Sequence, residues 1–325
     1  MALRAPAREF AETRLRVGSV SWDGGARVPM RTGPWMLGLD GEQTVAALGV
    51  MIDDAAGMEV HRHRPPGAGS VTAELSVDVV VPPPWPGPEL IARARLLGLG
   101  EADGTARCEV ATSTGQVVAV ATGRFRFVAA VGVVPPGSEG EPIPPAEHRD
   151  LLDVLGIVDL ADAPRLRPAA DLALTAAARH TAGSHSPDGS VSDSGAGIAN
   201  TVARLVVPPS PTWGNDGGSV HGGVLFAGSE LAAAAFAHET VEAAGAEPGQ
   251  AAEQTTSIRM NFLRPAVLAE PLMFTASTCH RGRAVAVYRV TSHGPAGKPY
   301  TIATITRARA PRPHRRIARP RQPTA

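Results

Sequence analysis

The sequence predicts an α+β fold built twice, in which each half is an antiparallel β-sheet packed around one long helix. Apolar and polar residues alternate in two groups of four segments, as expected for strands with one buried face. A helical segment precedes each group, and the two groups resemble each other at a nearly constant spacing. One helix covered by one antiparallel sheet is a two-layer α+β unit, so the chain is expected to contain two such units.

In the first half, the predicted helix is the segment at about 41–60, GEQTVAALGVMIDDAAGMEV. The strands predicted after it are 70–83, 88–100, 106–113 and 116–128. In the second half, the predicted helix is 221–243. The strands that follow it are 254–266, 270–280, 284–292 and 300–310.

The two halves align at a nearly constant spacing. Val81-Pro82 aligns with Arg264-Pro265 and Pro88 with Pro271, both 183 positions apart. Ala121-Thr122 aligns with Ala303-Thr304 at a spacing of 182. Strands bounded by proline and glycine also resemble one another without common origin, but a constant spacing across three strands favours an internal duplication.

We therefore divide the chain into four parts. An N-terminal domain spans 1–130, and a linker spans 131–196 with a short helix within 149–160 and a Gly/Ser-rich loop at 181–196. A second domain spans 197–310. The tail 311–325 carries five arginines and no acid and is expected to be disordered.

Composition excludes several classes of function. The 31 basic and 31 acidic residues balance, which argues against a nucleic-acid-binding protein. No apolar run reaches the ~18 residues of a membrane span, and the N-terminus lacks a signal-peptide core. We expect a cytoplasmic protein without membrane contact, in which Cys108 and Cys279 are reduced and buried.

The segment 214–236, GNDGGSVHGGVLFAGSELAAAAF, is the candidate for chemistry. A glycine-rich loop leads into a helix at His221, and a helix N-terminus offers unpaired N–H groups and a positive dipole end. With no side chain on Gly222, its N–H is predicted to bind a developing oxyanion. Asn215, six residues before His221, is a candidate to bind a carbonyl or position a water. A tight turn into the helix is the purely structural alternative.

Glu230 is a carboxylate in a helix rich in small apolar residues. Partial desolvation should raise its pKa and its basicity. Gly222 and Glu230 are eight residues apart, about 12 Å along a helix, so they cannot both contact one carbonyl carbon. Two antiparallel helices would instead bring the acid of one helix to the glycine turn of the other.

The pattern Asn215, His221-Gly222-Gly223 and Glu230 resembles the hotdog-fold acyl-CoA thioesterases related to the phenylacetic-acid-pathway and 4-hydroxybenzoyl-CoA enzymes. NFLRP at 261–265 and TIAT at 301–304 also fit. The resemblance is specific over about 198–308 and weaker over about 30–128. It implies a tandem double hotdog fold, an oxyanion N–H from the glycine turn, and an acid acting as base or nucleophile from a partner subunit. His221 is then expected to hold the turn or contact the thioester.

The N-terminal half departs from this pattern. Thr44-Val45-Ala46 stands where the second half has His-Gly-Gly, and the acid is Asp53, or Asp54 if the register differs by one. If the halves pair within one chain, Asp53 meets the intact turn of Asn215, His221 and Gly222. If two chains pair through their C-terminal halves, Glu230 is the working acid.

The function expected from the resemblance is hydrolysis of acyl-CoA or acyl-carrier-protein thioesters, without metal or cofactor. The pair His61 and His63 lies in a proline-flanked polar loop, so we expect no metal there. Gly223, Asp54 and Arg264 are candidates for substrate binding. The chain is expected to be a monomeric pseudo-dimer or a homo-oligomer of it. The alternatives are a non-catalytic acyl-thioester binder and a hotdog hydratase or dehydratase, which usually carries an Asp/His pair on the active helix and its loop.

Overall fold

A computed structural model of the chain describes residues 10–129, 148–157, 203–215, 217–243 and 253–309. Most of the predicted linker, including the Gly/Ser-rich loop at 181–196, lies outside these residues, as does the basic tail at 311–325. The domain boundaries stay predictions. The short helix expected within 149–160 is present as Leu151–Leu155.

The first half contains one main helix and six strands. Its helices are α1 (Ala11–Arg14) and α2 (Gly49–His61), with 3-10 turns at Pro34–Met36 and Val45–Leu48. Its strands are β1 (Ser21–Trp22), β2 (Ala26–Arg31), β3 (Ala68–Val79), β4 (Glu89–Leu99), β5 (Asp103–Thr112) and β6 (Val117–Ala129). The helix Leu151–Leu155 follows as α3.

The second half repeats the order of strand, 3-10 turn, long helix and four strands. Its elements are β7 (Ala203–Val207), a 3-10 turn at Pro211–Trp213, α4 (Gly222–Ala243), β8 (Glu253–Phe262), β9 (Leu272–Arg281), β10 (Val285–His293) and β11 (Pro299–Arg309). All eight strands predicted from alternation are confirmed, with ends shifted by a few residues.

The strands form one sheet in the order β1-β2-β4-β5-β6-β3-β8-β11-β10-β9-β7, and the neighbouring strands are antiparallel. The two halves meet where β3 pairs with β8. Ser76 lies opposite Arg259 in that pairing, and these residues are also 183 positions apart. This one pair of equivalent residues lies face to face, and the pairs on either side are related symmetrically about it, as expected if a local two-fold axis passes through this point.

Each half of the sheet covers its own helix. α2 packs against β2 to β6, α4 packs against β7 to β11, and the two helices pack against each other. Residues 221–233 are all buried. A helix enclosed by a sheet and a second helix is apolar around its whole circumference, which explains its uniform small and apolar sequence.

The two helices cross with their backbones touching. A Cβ atom on Gly223 would lie 2.4 Å from Val50 Cα, and one on Gly49 would lie 2.5 Å from the Gly223 carbonyl oxygen. Both positions therefore require glycine. Elsewhere, Cys108 is buried as predicted, whereas the prediction for Cys279 is wrong because Cys279 is exposed near the end of β9. Among the described residues, no helix has the length and apolarity needed to cross a bilayer.

Candidate active site

The loop before α4 is fixed by backbone hydrogen bonds. The His221 N–H donates to the Trp213 carbonyl at 2.7 Å, and the Val220 N–H donates to the Ala266 carbonyl at 3.0 Å. α4 begins at Gly222, and Val224 N–H donates to the His221 carbonyl at 3.1 Å. Gly222 is a buried residue, and within the residues that the structure describes its N–H donates no hydrogen bond. It is therefore available to a ligand.

Asn215 stabilises this loop from within. Its Oδ1 accepts hydrogen bonds from the N–H groups of Gly217 (3.0 Å) and Ser219 (3.1 Å). Its Nδ2 donates to Ser219 Oγ at 3.2 Å. The side chain thus forms an Asx turn. A role in binding a carbonyl or a water stays a prediction.

Asp53 lies directly against the glycine turn. Its Oδ1 accepts a hydrogen bond from the Thr72 hydroxyl at 2.8 Å, and its Oδ2 accepts one from the Gly223 N–H at 3.1 Å. A Cβ atom on Gly222 would lie 2.6 Å from Asp53 Oδ2. Because α2 and α4 pack antiparallel, the acid of the N-terminal half, Asp53, lies at the glycine turn of the C-terminal half within one chain.

The environment of Asp53 moves its pKa in both directions. Asp53 is 7% exposed, and this burial is the largest effect and raises its pKa. Asp54 raises it further, whereas His221, Thr72 and the Gly223 N–H lower it. The net result is a raised pKa, as expected for a carboxylate that is poised to accept a proton.

His221 lies between three carboxylates. Its Nε2 is 2.9 Å from Asp54 Oδ1 and 3.7 Å from Glu12 Oε1, and its Nδ1 is 3.3 Å from Asp53 Oδ2. Burial acts to lower the pKa of His221, but Asp54, Asp53 and Glu12 outweigh it and raise that pKa to about 10. The ring is therefore an imidazolium at neutral pH.

The Gly223 N–H lies close to two acceptors. It is 3.1 Å from Asp53 Oδ2 and 2.9 Å from His221 Nδ1. In a neutral ring with its proton on Nε2, Nδ1 accepts the Gly223 N–H. In the imidazolium, Nδ1 donates toward Asp53, and Asp53 is the acceptor for Gly223. Asp53 Oδ2 is a hydrogen-bond acceptor in both states.

The donor atoms of Glu12, Asp54 and His221 all lie within 4.8 Å of one another, a composition that would also suit a divalent cation. The separation between His221 Nε2 and Asp54 Oδ1 is that of a charge-assisted hydrogen bond. These groups therefore form an ion-pair network around the His221 imidazolium.

Glu230 is held by a different set of groups. Its Oε2 accepts from the Thr44 hydroxyl at 2.8 Å, and its Oε1 accepts from Thr255 at 2.7 Å and from Arg307 Nη1 at 2.9 Å. It is 2% exposed. Arg307 also donates to Thr255 Oγ1 at 2.7 Å and to the Glu253 carbonyl. Glu230 is thus a buried, ion-paired carboxylate facing the Thr44 turn, as the single-chain alternative predicted.

The three candidates for substrate binding occupy different settings. The Gly223 N–H is directed at Asp53 and His221, and the Gly223 backbone packs directly against α2. The carboxylate of Asp54 is paired with His221. Arg264 is exposed on the β8–β9 loop, whose Ala266 carbonyl accepts the Val220 N–H beside the glycine turn. Their roles toward a substrate stay predictions.

Sequence reasoning missed four residues of these two networks: Glu12, Thr72, Thr255 and Arg307. Thr72 and Thr255 are 183 positions apart, so the duplication itself carried a signal for them. Arg307 lies opposite Thr255 in β11, and Phe125 lies opposite Thr72 in β6. Glu12 lies 209 positions before His221 in a short helix, and no local pattern marks it.

Comparisons with known proteins give a family match over part of the chain and a shared fold over most of it. Residues 217–295 match the family model described as the thioesterase superfamily. No curated protein matches the sequence at a significant level. The acyl-CoA thioesterase II of Mycobacterium marinum aligns with a TM-score of 0.54 at 13% identity, covering 92% of this chain and 96% of that one.

Two further structures cover the same extent. The tesB protein of Mycobacterium avium subspecies paratuberculosis has a TM-score of 0.52 at 13% identity, over 93% of this chain and 98% of that one. A protein described as having a hotdog fold, from Alicyclobacillus acidocaldarius, has a TM-score of 0.50 at 13% identity, over 93% and 98%. At such identities the likeness establishes the fold alone.

Residues 217–295 match the thioesterase-superfamily model, and most of the chain shares its fold with an acyl-CoA thioesterase structure and with a protein described as having a hotdog fold. The resemblance inferred from the His-Gly-Gly pattern is confirmed. These findings support a thioester hydrolase.

Proposed function

We propose that the chain hydrolyses acyl thioesters at one composite site, formed by the Gly222 N–H and the Asp53 carboxylate. The chain is a tandem double hotdog, and the two halves supply one half of the site each. The observation that carries the proposal is the approach of Asp53 Oδ2 to Gly222, where a single methyl group would lie 2.6 Å from the carboxylate oxygen. Any other residue would place its Cβ against the Asp53 carboxylate, so glycine is required unless that side chain moves.

The roles follow from the chemistry of the groups. The thioester carbonyl oxygen accepts the Gly222 N–H, which stabilises the negative charge that develops on it; one such donor contributes about 3–4 kcal/mol. Asp53 takes a proton from a water molecule that attacks the carbonyl carbon. The C–S bond then breaks, and the departing thiolate takes the proton from Asp53. The products are a carboxylic acid and a thiol.

We assign Asp53 as general base in preference to nucleophile. Its two oxygens already accept hydrogen bonds from Thr72 and Gly223, which hold the carboxylate in place. A base keeps these bonds, whereas a nucleophile carries one oxygen into a covalent anhydride. Single-turnover hydrolysis in isotope-labelled water tests this. A general base leaves Asp53 unlabelled and places the label in the product, whereas label on the Asp53 carboxylate with an unlabelled product would show an anhydride that water opens at the Asp53 carbonyl carbon.

Glu230 is assigned a structural role. Arg307 contacts one of its oxygens at 2.9 Å, and the Thr44 hydroxyl donates to the other. The turn it faces carries the side chains of Val45 and Ala46, which are both buried. The second site therefore has neither an open glycine amide nor a free carboxylate.

We propose acyl-CoA as the thioester donor because the M. marinum structure with the same fold is an acyl-CoA thioesterase. Arg264, exposed beside the turn, is the candidate to contact its phosphates. Acyl carrier protein is the alternative donor. The two are separated by comparing kcat/KM for one acyl group on each carrier.

The proposal is tested with a panel of acyl-CoA esters and a thiol reagent, applied to the wild type, Asp53→Asn and Glu230→Gln. Both substitutions remove one charge and keep the side-chain shape. We expect Asp53→Asn to lower kcat by about 10²–10⁴-fold, the usual effect of a positioned base. Glu230→Gln should retain turnover per folded molecule. Loss of turnover in Glu230→Gln but not in Asp53→Asn would assign the active site to Glu230. If neither the wild type nor the variants release thiol, a non-catalytic acyl-thioester binder would be favoured.

One observation favours a second candidate function. The structure brings His221 to 2.9 Å from Asp54, an Asp/His pair that the sequence did not place together and that hotdog hydratases and dehydratases use. A hydratase would consume an enoyl thioester, seen as loss of its conjugated absorbance, without releasing thiol. Thiol release from saturated esters separates the two, and the thioesterase-superfamily match makes hydrolysis the first choice.

A further inference from the structure

The His221 ring is the meeting point of three elements. Asp53 and Asp54 reach it from α2, and Glu12 reaches it from α1. His221 is 6% exposed, so these charges are poorly screened by water. α1 also carries Arg14, and β3 contributes the uncharged hydroxyl of Thr72 to Asp53.

α1 is docked in place beside the catalytic loop. Ala11 and Leu15 are fully buried, and Arg14 Nη1 donates to the Val154 carbonyl at 3.1 Å. The Arg14 guanidinium lies 5.0 Å from the centre of the Trp213 ring. The Trp213 carbonyl in turn accepts the His221 N–H. Glu12 is therefore carried by a segment that packs on the same loop as His221, and it is not a freely moving surface carboxylate.

We infer that Glu12 and Asp54 are positioning residues that hold His221 as a cation and thereby keep Asp53 ionised beside Gly222. This inference rests on the proposed function, and it assigns to Asp54 a role in place of substrate binding. Neither residue touches the reacting atoms. Both act through the imidazolium, which offsets the burial of the Asp53 charge.

Two opposing effects set the charges of His221 and Asp53. Burial alone favours a neutral imidazole and a neutral carboxylic acid, which would leave the site without a base at neutral pH. Two carboxylates on the far side of the ring reverse this for His221, and its positive charge in turn favours the ionised form of Asp53. Asp54 also repels Asp53 directly and raises the Asp53 pKa, but this effect is smaller than the opposite effect of His221. Loss of the imidazolium charge should therefore lower the ionised fraction of Asp53 at neutral pH.

The first experiment follows the His221 proton directly. The His221 pKa is measured by NMR on histidine-labelled protein in the wild type, Glu12→Gln and Asp54→Asn. Matched controls are Glu109→Gln and Asp78→Asn, which remove the same charges from exposed pairs with Arg107 and Arg259. We expect a lower His221 pKa in both test variants, with the larger change for Asp54→Asn because its oxygen is closer. An unchanged His221 pKa overturns the inference.

The second experiment measures the consequence for catalysis. In a test variant whose His221 pKa falls below neutral pH, the acid limb of the kcat/KM profile should move to higher pH, and kcat at neutral pH should fall by up to about 100-fold while KM changes little. Asp54→Glu retains the charge and should restore part of the loss. A fall in kcat/KM with no movement of the acid limb would indicate a merely structural role and contradict the inference.

The proposed function and the positioning role of Glu12 and Asp54 can be tested independently. If the wild type releases no thiol from any ester, the proposed function fails, whereas the NMR titration still decides whether Glu12 and Asp54 hold the imidazolium. Calorimetric titration with Zn²⁺ and Mn²⁺ adds a further check. Tight binding that is lost in both variants would make the carboxylates metal ligands and overturn the positioning role.

Discussion

Asp53 and Glu230 occupy equivalent places in the two halves but have opposite surroundings. Each accepts a hydrogen bond from a threonine of the following strand, Thr72 for Asp53 and Thr255 for Glu230. Opposite Thr255 the neighbouring strand carries Arg307, which neutralises Glu230, whereas opposite Thr72 it carries the apolar Phe125. One copy of the acid became part of a buried ion pair, and the other stayed desolvated beside a glycine turn.

The two helix N-termini show the same contrast. The Thr44 hydroxyl accepts the Ala46 N–H at 3.3 Å, just as His221 Nδ1 lies 2.9 Å from the Gly223 N–H. The capping geometry is retained, but the first half has replaced His-Gly-Gly with Thr-Val-Ala. A duplication allows this because one intact turn and one free acid are enough for one site.

The largest effect should follow from breaking the Arg307 pair. Arg307→Met leaves Glu230 as an uncompensated buried charge, which should lower the free energy of unfolding by about 3–5 kcal/mol. Chemical denaturation measures this. Arg107→Met, which removes an arginine from the exposed pair with Glu109, should cost no more than about 1 kcal/mol. Equal losses in both variants would mean that Glu230 is not held by its ion pair.

The second prediction concerns the close approach at the intact turn. Gly222→Ala places a methyl group 2.6 Å from Asp53 Oδ2, so the helices must separate or the carboxylate must move. We expect a loss of about 1–3 kcal/mol in stability, as for other overpacked sites, together with loss of turnover. Gly98→Ala is the matched control because a Cβ there meets nothing within 4 Å. Full activity in Gly222→Ala would contradict the composite site.

The third prediction concerns pH. The pKa of His221 is raised from 6.5 to about 10, so its charge contributes stability that is complete below pH 6.5 and is lost as the pH rises toward 10. Between pH 7 and pH 9 this loss should be on the order of 2 kcal/mol. Denaturation of the wild type and His221→Gln at both pH values measures it. Parallel declines in the two proteins would show that His221 is not charged.

The smallest effect is a gain in stability. The pKa of Asp53 is raised above its unfolded value, so its ionised form destabilises the folded state at neutral pH. Asp53→Asn should therefore raise the melting temperature, by an amount corresponding to about 0.5–2 kcal/mol, while it removes activity. Glu230→Gln should lower the melting temperature because it leaves Arg307 without its partner. The two variants should therefore shift the melting temperature in opposite directions. Shifts in the same direction would contradict the contrast between Asp53 and Glu230.

Much of the fold could be predicted because its signals are local. Alternation along β3 to β6 and β8 to β11 reports which face of each strand is buried. The nearly constant spacing of 182–183 positions between the halves reports the duplication. The 22-residue helix α4 was recognisable from its uniform small and apolar residues. The Cys279 prediction was wrong because the alternation assigned to that strand does not extend to its exposed end.

The sequence predicted the individual components of the site but not how they are arranged. The sequence by itself determined the glycine turn, the two acids and the need for a second, oppositely directed helix, since these depend on residue type and spacing along one element. The tertiary structure alone decided that Asp53 meets Gly222, that Arg307 neutralises Glu230, and that Glu12 reaches His221. These interactions join residues far apart in the chain, and they depend on how closely two glycine-lined helices can approach and on the register of paired strands.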